Sequence, residues 1–311
     1  MITKHSDPFL ILQKENHTTA VYPFYTDLPV IQGSVVVLHG MAEHHERYYP
    51  FADFLNRNGF DVYLYDHRGH GVDKSAEQLG FFAEKNGDRL VVSDAIQVLK
   101  HVKAQGRSDR LVLFGHSMGS LIARNVIQHY DEMDCAIICG TTMPPSLVSL
   151  AGYKIASLLC SLQGPRHYSP FLDRLLFSGP QYKKLCTRTS NDWLTRDAAI
   201  VSAYNQDPFC GFLCTTSFYR DLIHLTFLAG KKELIAETRK DLPIFLISGD
   251  NDPVGGCGSQ VKSLFKLLNR LGFEKVTLKL YPDARHEILN EPDHEVVMSE
   301  IVSWLLHQNV K

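Results

Sequence analysis

A serine in the first half of the chain stands in the residue pattern of an activated nucleophile. It has a glycine two residues away on each side, in Gly115-His116-Ser117-Met118-Gly119. An apolar run at 111–114 precedes this segment and a helical pattern at 121–127 follows it. A strand, a tight turn and a helix together expose a serine hydroxyl for attack on a carbonyl carbon. Such a turn is strained, so its neighbours must be nearly free of side chains, and the helix that begins there aims its N–H groups at developing negative charge.

A serine hydroxyl becomes a nucleophile only beside a base, and the base needs a carboxylate that orients it. In this strand–turn–helix context the chain order is serine, acid, histidine. The loop after an apolar strand at 243–248 contains Asp250 and Asp252, and His286 follows the last predicted strand. The order therefore fits Ser117, then Asp252 or Asp250, then His286, each at the end of a different strand.

The oxyanion that forms on attack needs backbone N–H donors. We expect one donor to be the N–H of Met118, the residue after the serine, and the other to be the N–H of Met41, in the turn after the strand at 34–38. Gly40 lets the backbone of that turn come close to the reacting atoms.

The elements that position these residues alternate between strands and helices. Apolar runs predict strands at 9–12, 19–25, 34–38, 61–65, 111–114, 134–140, 242–248 and 276–280, and helical patterns recur at 48–58, 89–105, 257–271 and 294–308. The first two strands are expected to pair antiparallel at a sheet edge, where Pro23 costs little. The alternation predicts a mostly parallel sheet with helices on both faces. Ligands of such sheets bind at the carboxyl ends of the strands, where all the motifs fall.

The alternation breaks between 142 and 236, where apolar residues recur at helical spacing and prolines and glycines interrupt the pattern. We interpret this stretch as a helical insertion. Its apolar stripe at 147–159 favours the core of the insertion, and the alternative is the rim of an acyl-chain tunnel that touches lipid aggregates.

Composition excludes several classes of function. The 311 residues suffice for one large α/β domain with an inserted subdomain. A formal net charge of −2 gives no basic excess for nucleic acid. The sequence shows no apolar run long enough for a transmembrane helix and no signal-peptide pattern. Seven cysteines without a tight framework favour reduced thiols and a cytoplasmic location.

Several histidines, charged residues and cysteines could belong to metal or redox sites, but a structural role is the expected one for each. Four histidines gather at two strand ends, but no helical metal-ligand spacing accompanies them, so packing and loop hydrogen bonds are the expected use: His39, His44, His67 and His70. Glu43 and Arg47 are expected to form a structural pair. The cysteines at 210 and 214 are expected to pack rather than to form a redox pair, and Cys257 is expected to be an incidental thiol near the acid loop.

Four segments together resemble the monoacylglycerol lipase and lysophospholipase group of α/β-hydrolases: His39-Gly40-Met41-Ala42-Glu43-His44 followed by Arg47-Tyr48, Asp66-His67-Arg68-Gly69-His70-Gly71, Gly115-His116-Ser117-Met118-Gly119 and His286-Glu287-Ile288-Leu289-Asn290-Glu291. The resemblance runs from about residue 34 to the C-terminus and is weakest across the insertion. It implies the α/β-hydrolase fold, with residues 1–141 and 237–311 as the core domain and 142–236 as a cap over the acyl pocket. It also implies Ser117 as nucleophile, His286 as base and Asp252, in an Asp-Pro-Val segment, as the acid.

The resulting hypothesis is a serine esterase or lipase that cleaves single-chain acyl esters through an acyl-enzyme on Ser117. The chemistry needs no cofactor and no metal, and the partners expected are a small ester or lipid and, through the cap, transient contact with lipid aggregates. One alternative is a peptidase of the proline-iminopeptidase type, which an acidic cluster in the cap would favour. Another is a hydrolase-fold receptor with slow turnover. A dehalogenase would carry aspartate in place of Ser117.

Overall fold

In the computed structural model, which describes residues 6–308, the strands form one eight-stranded sheet. They are β1 (Phe9–Leu12), β2 (Thr18–Phe24), β3 (Gly33–Leu38), β4 (Phe60–Tyr65), β5 (Leu111–His116), β6 (Cys135–Cys139), β7 (Ile244–Gly249) and β8 (Val276–Tyr281). Their order across the sheet is β1-β2-β4-β3-β5-β6-β7-β8. The first two strands are antiparallel to their neighbours, and the six from β3 to β8 pair in parallel. The predicted mostly parallel α/β fold is confirmed.

Helices connect the strands. They are α1 (Tyr49–Arg57), α2 (Gly87–Gln105), α3 (Met118–Val126), α4 (Ser146–Gln163), α5 (Pro170–Phe177), α6 (Pro180–Lys183), α7 (Ala198–Gln206), α8 (Thr216–Ala229), α9 (Lys232–Glu237), α10 (Ser259–Arg270) and α11 (His294–His307). No helix between residues 6 and 308 combines the length and the apolar character that a bilayer crossing requires.

The central strands are buried on both faces, so their apolar residues divide between two cores. Along β3, Val36 and Leu38 pack into one core with α2, α3 and α10, while Val35 and Val37 pack into the other with α1 and α11. This alternation is the two-residue period of a strand, and it explains the continuous apolar run in the sequence.

The expectation that the first two strands pair antiparallel at a sheet edge is confirmed, but Pro23 does not lie on the outermost strand. β2 lies second in the sheet, between β1 and β4, and β1 is the edge. Pro23 pairs with Tyr63 of β4, whereas the register with β1 reaches only to Val21. The missing N–H of Pro23 therefore lies beyond the β1 register, which is why the proline is tolerated inside the sheet.

The segment 142–236 supplies α4–α9 between β6 and β7, and we keep the name cap for it as a proposal. Within it, α8 packs on α2 and α3, and α4 packs along the outside of α8. Small residues face that contact: Ser149 and Ala156 are buried, and a Cβ on Gly152 would lie 3.5 Å from Ile223.

Because α4 packs mainly through its small residues, several of its large apolar residues lie outside. The expectation that the stripe at 147–159 is core holds for Leu159, which packs against the main core, and is wrong for Leu147, Ile155 and Leu158. Leu147 is 81% exposed and Leu158 is 60% exposed. Leu162 on the same helix and Phe171 on α5 are exposed as well.

Candidate active site

Ser117 occupies a strained turn between β5 and α3. Its backbone has φ 54° and ψ −119°, a positive φ that few residues other than glycine adopt. A Cβ on Gly119 would lie 2.1 Å from the Leu38 carbonyl oxygen, so this glycine is what lets α3 begin directly against β3. The predicted strand, turn and helix thus surround the serine.

His286 lies in the loop after β8 and is hydrogen bonded to Asp252, which lies in the loop after β7. The distance from His286 Nδ1 to Asp252 Oδ1 is 3.0 Å, and both side chains are buried. The carboxylate also accepts the N–H of Val254 and the hydroxyl of Ser248. Burial opposes ionisation of Asp252, but His286 and these hydrogen bonds hold its pKa below the ordinary value. The carboxylate is therefore an acceptor, and His286 Nδ1 carries the proton that it accepts.

Asp250, the alternative acid, has a different partner. Its Oδ1 accepts the N–H of Asp283 at 2.8 Å, which ties the loop after β7 to the turn after β8. Of the two aspartates that the sequence left open, Asp252 is the one beside the imidazole.

Ser117 and His286 lie on the two sides of the end of β6. The N–H of Ser117 donates to the Cys139 carbonyl at 3.0 Å, and a Cβ on Gly140 would lie 3.1 Å from His286 Cε1. Among residues 6–308, neither Ser117 Oγ nor His286 Nε2 is hydrogen bonded to another protein group. Both atoms are therefore free to act on a bound molecule.

In the loop after β3, the N–H groups on either side of Met41 are both occupied. Glu43 Oε1 accepts the N–H of Gly40 at 2.5 Å, and His70 Nε2 accepts the N–H of Ala42 at 3.2 Å. The N–H of Met41 lies between them and has no acceptor within residues 6–308. The N–H of Met118 is the first of α3 and is likewise left without an intrahelical acceptor. A Cβ on Gly40 would lie 3.2 Å from the Cβ of Ser117, so this loop passes close to the serine.

A buried cluster of charges lies behind this loop. Arg47 donates to Glu43 at 2.6 Å and to both carboxylate oxygens of Glu287 at 2.7 Å. Glu43 also accepts the hydroxyl of Tyr48 and contacts His116. Burial opposes ionisation of both glutamates, but Arg47 holds the pKa of each below its usual range. Burial also opposes protonation of His116, yet Glu43 raises its pKa.

The predicted pair of Glu43 and Arg47 is thus present. The sequence analysis did not predict that His116 and Glu287 join this pair. Their positions could have indicated it, because His116 directly precedes Ser117 and Glu287 directly follows His286. The cluster therefore joins the loop after β3, the serine turn and the histidine loop.

The other histidines serve loop geometry, as expected. His39 Nε2 accepts the N–H of His67 at 3.0 Å, and His70 accepts that of Ala42. Burial lowers the pKa of all three, so they are neutral near pH 7. His44 differs, because its partner is Asp207 in the cap.

The cap also contacts the candidate base. The indole of Trp193 lies with its ring centre 5.1 Å from that of His286, and Leu194 accepts the N–H of Glu287 at 2.7 Å. Sequence reasoning did not single out Trp193, since no motif surrounds it.

The sequence between residues 29 and 293 matches the Hydrolase_4 family, described as serine aminopeptidase, S33. The chain belongs to this family. It is 28% identical over 307 residues to a monoacylglycerol lipase of Mycolicibacterium smegmatis, with 92% of each chain covered. It is 25% identical to a monoglyceride lipase of Saccharomyces cerevisiae, over 94% of this chain and 92% of the yeast protein.

Among solved structures, a thermostable carboxyl esterase from Bacillus coagulans, crystallised with glycerol, superposes with a TM-score of 0.89 at 26% identity, covering 98% of this chain and 99% of the esterase. A soluble variant of the S. cerevisiae monoglyceride lipase with a substrate analogue gives a TM-score of 0.74 at 23% identity, covering 99% and 98% of the two chains, and shows the fold. The chain is an α/β-hydrolase.

Proposed function

We propose that this α/β-hydrolase is a serine ester hydrolase in which Ser117 is the nucleophile, His286 the general base and Asp252 the acid that orients it. The observation that carries the proposal is the buried hydrogen bond between His286 and Asp252 at the strand ends where the strained serine turn also lies. The names of the relatives support ester hydrolysis, since they are lipases and an esterase.

In the first step Ser117 Oγ attacks the ester carbonyl carbon and His286 Nε2 takes the hydroxyl proton. The imidazole can do so because Nδ1 already carries a proton donated toward Asp252, which leaves the Nε2 lone pair free. His286 then gives the proton to the alkoxy oxygen as the ester C–O bond breaks. Water repeats the sequence on the acyl-enzyme and restores Ser117.

The N–H groups of Met41 and Met118 are the proposed oxyanion donors. The N–H groups of Gly40 and Ala42 are occupied by Glu43 and His70. The N–H of Met41 has no acceptor among residues 6–308 and is available to an oxyanion. Losing one donor of this kind typically costs roughly 10²- to 10³-fold in kcat.

The proposed substrate is a single-chain acyl ester such as a monoacylglycerol or a lysophospholipid. A peptidase is expected to present a cluster of free carboxylates in the cap to hold a substrate amine. Instead, each aspartate of the cap is engaged by the protein: Asp173 by Tyr219, Asp192 by the loop 187–189, Asp197 by the first turn of α7, Asp207 by His44 and Asp221 by Arg220. The one glutamate of the segment, Glu233 on α9, is exposed and is a single carboxylate rather than a cluster. This occupancy favours the ester over the peptide.

The test combines active-site labelling with a substrate panel. A fluorophosphonate should label the wild type and the Ser120→Ala variant, whose serine lies one turn further along α3, but not Ser117→Ala. Monoacylglycerols and p-nitrophenyl acyl esters should be hydrolysed, and aminoacyl p-nitroanilides should not. Labelling of Ser117→Ala would refute the nucleophile, and preferred cleavage of the anilides would make the protein a peptidase. An intact wild type that neither labels nor turns over would favour the receptor alternative.

We also propose that the exposed apolar surface of the cap, formed by Leu147, Leu158, Leu162 and Phe171, rests on lipid aggregates that hold the substrate. Lys154 is the one charged residue of α4, so burial of apolar side chains rather than attraction to anionic lipid would drive the contact.

Sedimentation with zwitterionic phosphatidylcholine vesicles tests this contact. The double variant Leu158→Gln, Leu162→Gln should bind more weakly by about tenfold or more, because burying one leucine stabilises by roughly 1.5–3 kcal/mol. Leu306→Gln, at an exposed leucine of α11, is the matched control. Equal binding of both variants and wild type would refute the proposed surface. Unchanged turnover of a short soluble ester would show that the double variant is folded.

A cytoplasmic location is proposed because the seven cysteines are thiols, which a reducing compartment maintains. Cell fractionation against compartment markers tests it.

A further inference from the structure

Three side chains with the chemistry of metal ligands meet where the cap touches the loop after β3. His44 ends the motif segment of that loop, Asp207 caps the C-terminus of α7, and Cys210 follows three residues later. One potential ligand atom from each lies within 4.8 Å of the other two. His44 Nε2 lies 2.8 Å from Asp207 Oδ2, and the Cys210 sulfur lies near the same carboxylate.

We propose that His44, Asp207 and Cys210 form a zinc site that joins the cap to the core. Imidazole nitrogen, carboxylate oxygen and thiolate sulfur are the ligands that Zn²⁺ takes in proteins, at about 2.0–2.3 Å. Tetrahedral geometry at such bond lengths places ligand atoms roughly 3.4 Å apart. The three atoms therefore need only small side-chain rotations to reach it, and a water would complete the four ligands.

The proton and charge balance favours a divalent ion. With the imidazole in its neutral form, Asp207 is the one formal charge among the three ligands, and it accepts the Nε2–H of His44. On binding, the thiol proton leaves to solvent and the imidazole proton shifts from Nε2 to Nδ1. One thiolate, one carboxylate and one Zn²⁺ then sum to zero, so the ion is neutralised by its own ligands.

The surroundings fit a bound ion and give it a way in. His44 and Cys210 are buried, while the Asp207 side chain is 29% exposed and opens the site to solvent. The Nδ1 atom of His44 has no hydrogen-bond partner within residues 6–308, so it is free to take the proton when Nε2 binds a metal. Burial raises the pKa of the Cys210 thiol, and the charge of Arg47 partly offsets that effect.

A metal here would reinforce a junction that already exists. The Ala42 carbonyl accepts the N–H of Gly211 and the hydroxyl of Tyr204, each at 2.9 Å. Zinc would add a coordinate link beside these two hydrogen bonds. It would therefore stabilise the folded chain in proportion to its occupancy.

Cobalt substitution tests the site directly, since a thiolate ligand gives Co²⁺ a sulfur-to-metal charge-transfer band. The metal-free full chain is titrated with Co²⁺, and Zn²⁺ is then added to displace it. The wild type should develop the band with one cobalt per chain, lose it on addition of zinc, and melt several degrees higher with zinc than without. Cys257→Ser, which removes an exposed thiol, should behave like the wild type.

The variants decide the outcome. Cys210→Ser should lose the band and the zinc-dependent rise in Tm while keeping a folded circular dichroism spectrum. Asp207→Asn, which retains the thiol, should show a weaker cobalt affinity and serves if the serine variant does not fold. Absence of the band in the wild type, or a band that survives Cys210→Ser, would overturn the proposal.

Discussion

Replacing Glu43 by glutamine separates the positioning of the proposed oxyanion donor from the stability of the buried charge cluster. Glu43 holds the loop after β3 through one oxygen, which accepts the Gly40 N–H and the Tyr48 hydroxyl at 2.5 and 2.8 Å. Its other oxygen accepts from Arg47 at 2.6 Å. Glutamine has one oxygen and one NH₂ group, so Glu43→Gln must either face Arg47 with a donor or give up its bond to Gly40.

The structure gives the expected magnitude. Breaking a buried ion pair typically destabilises by about 3–5 kcal/mol, and Arg47 keeps its two bonds to Glu287, so we expect the lower end of that range. Misplacing one oxyanion donor costs roughly 10²- to 10³-fold in kcat. Because the N–H of Met41 is displaced rather than removed, we expect kcat to fall by about 10²-fold and KM to change little.

Glu287→Gln is the matched control. It also removes one negative charge beside Arg47, but Glu287 makes no hydrogen bond to the loop that carries Met41. The assay is steady-state hydrolysis of a p-nitrophenyl ester, with the Tm of each variant measured alongside. Both variants should lose similar stability, and Glu287→Gln should keep kcat within a few-fold of the wild type. Equal kcat values for the two variants would refute the role assigned to the Glu43 loop.

Three further predictions follow from other contacts. Asp252→Asn should lower kcat on the order of 10³- to 10⁴-fold, because the imidazolium loses its counter-charge, whereas Asp250→Asn should retain most activity in the same ester assay. Burial raises the pKa of Asp221 to about 6, so between about pH 4 and pH 6 this carboxyl is protonated in the folded chain and ionised in the unfolded chain. Its contribution to the free energy of unfolding is complete below about pH 4 and is lost as the pH rises through 6. The Tm of Asp221→Asn should therefore rise relative to that of the wild type between pH 4 and pH 7. Gly119→Ala should destabilise the chain by about 3 kcal/mol in urea unfolding, because its Cβ would overlap a carbonyl of β3, and Gly152→Ala, at an ordinary 3.5 Å contact, should not.

Each of these has an outcome that contradicts it. A larger loss of kcat for Asp250→Asn than for Asp252→Asn would exchange the two roles. A Tm difference between Asp221→Asn and wild type that stays constant with pH would mean that this carboxyl does not titrate near pH 6. Equal unfolding free energies for the two alanine variants would mean that α3 does not need its close approach to β3.

The sequence by itself determined the alternation of strands and helices and the order of the catalytic candidates along it. Strand and helix periods are local, since they reflect contacts between residues two to four positions apart, and the parallel sheet follows from their alternation. The bounds of the predicted strands lie within two residues of those in the structure. The positions of Ser117 and His286 at strand ends therefore follow from the sequence alone.

Tertiary structure decided what depends on distances between remote segments. Asp250 and Asp252 share one loop, so their positions in the sequence do not distinguish them. The path of the chain after β8 brings His286 to Asp252 and the N–H of Asp283 to Asp250. The exposure of leucines on α4 could not be predicted either, because an apolar stripe has the same period whether it packs on another helix or faces solvent. His44 and Asp207 are 163 residues apart, and no local pattern couples residues at that separation. Their meeting is a property of the folded cap and core together.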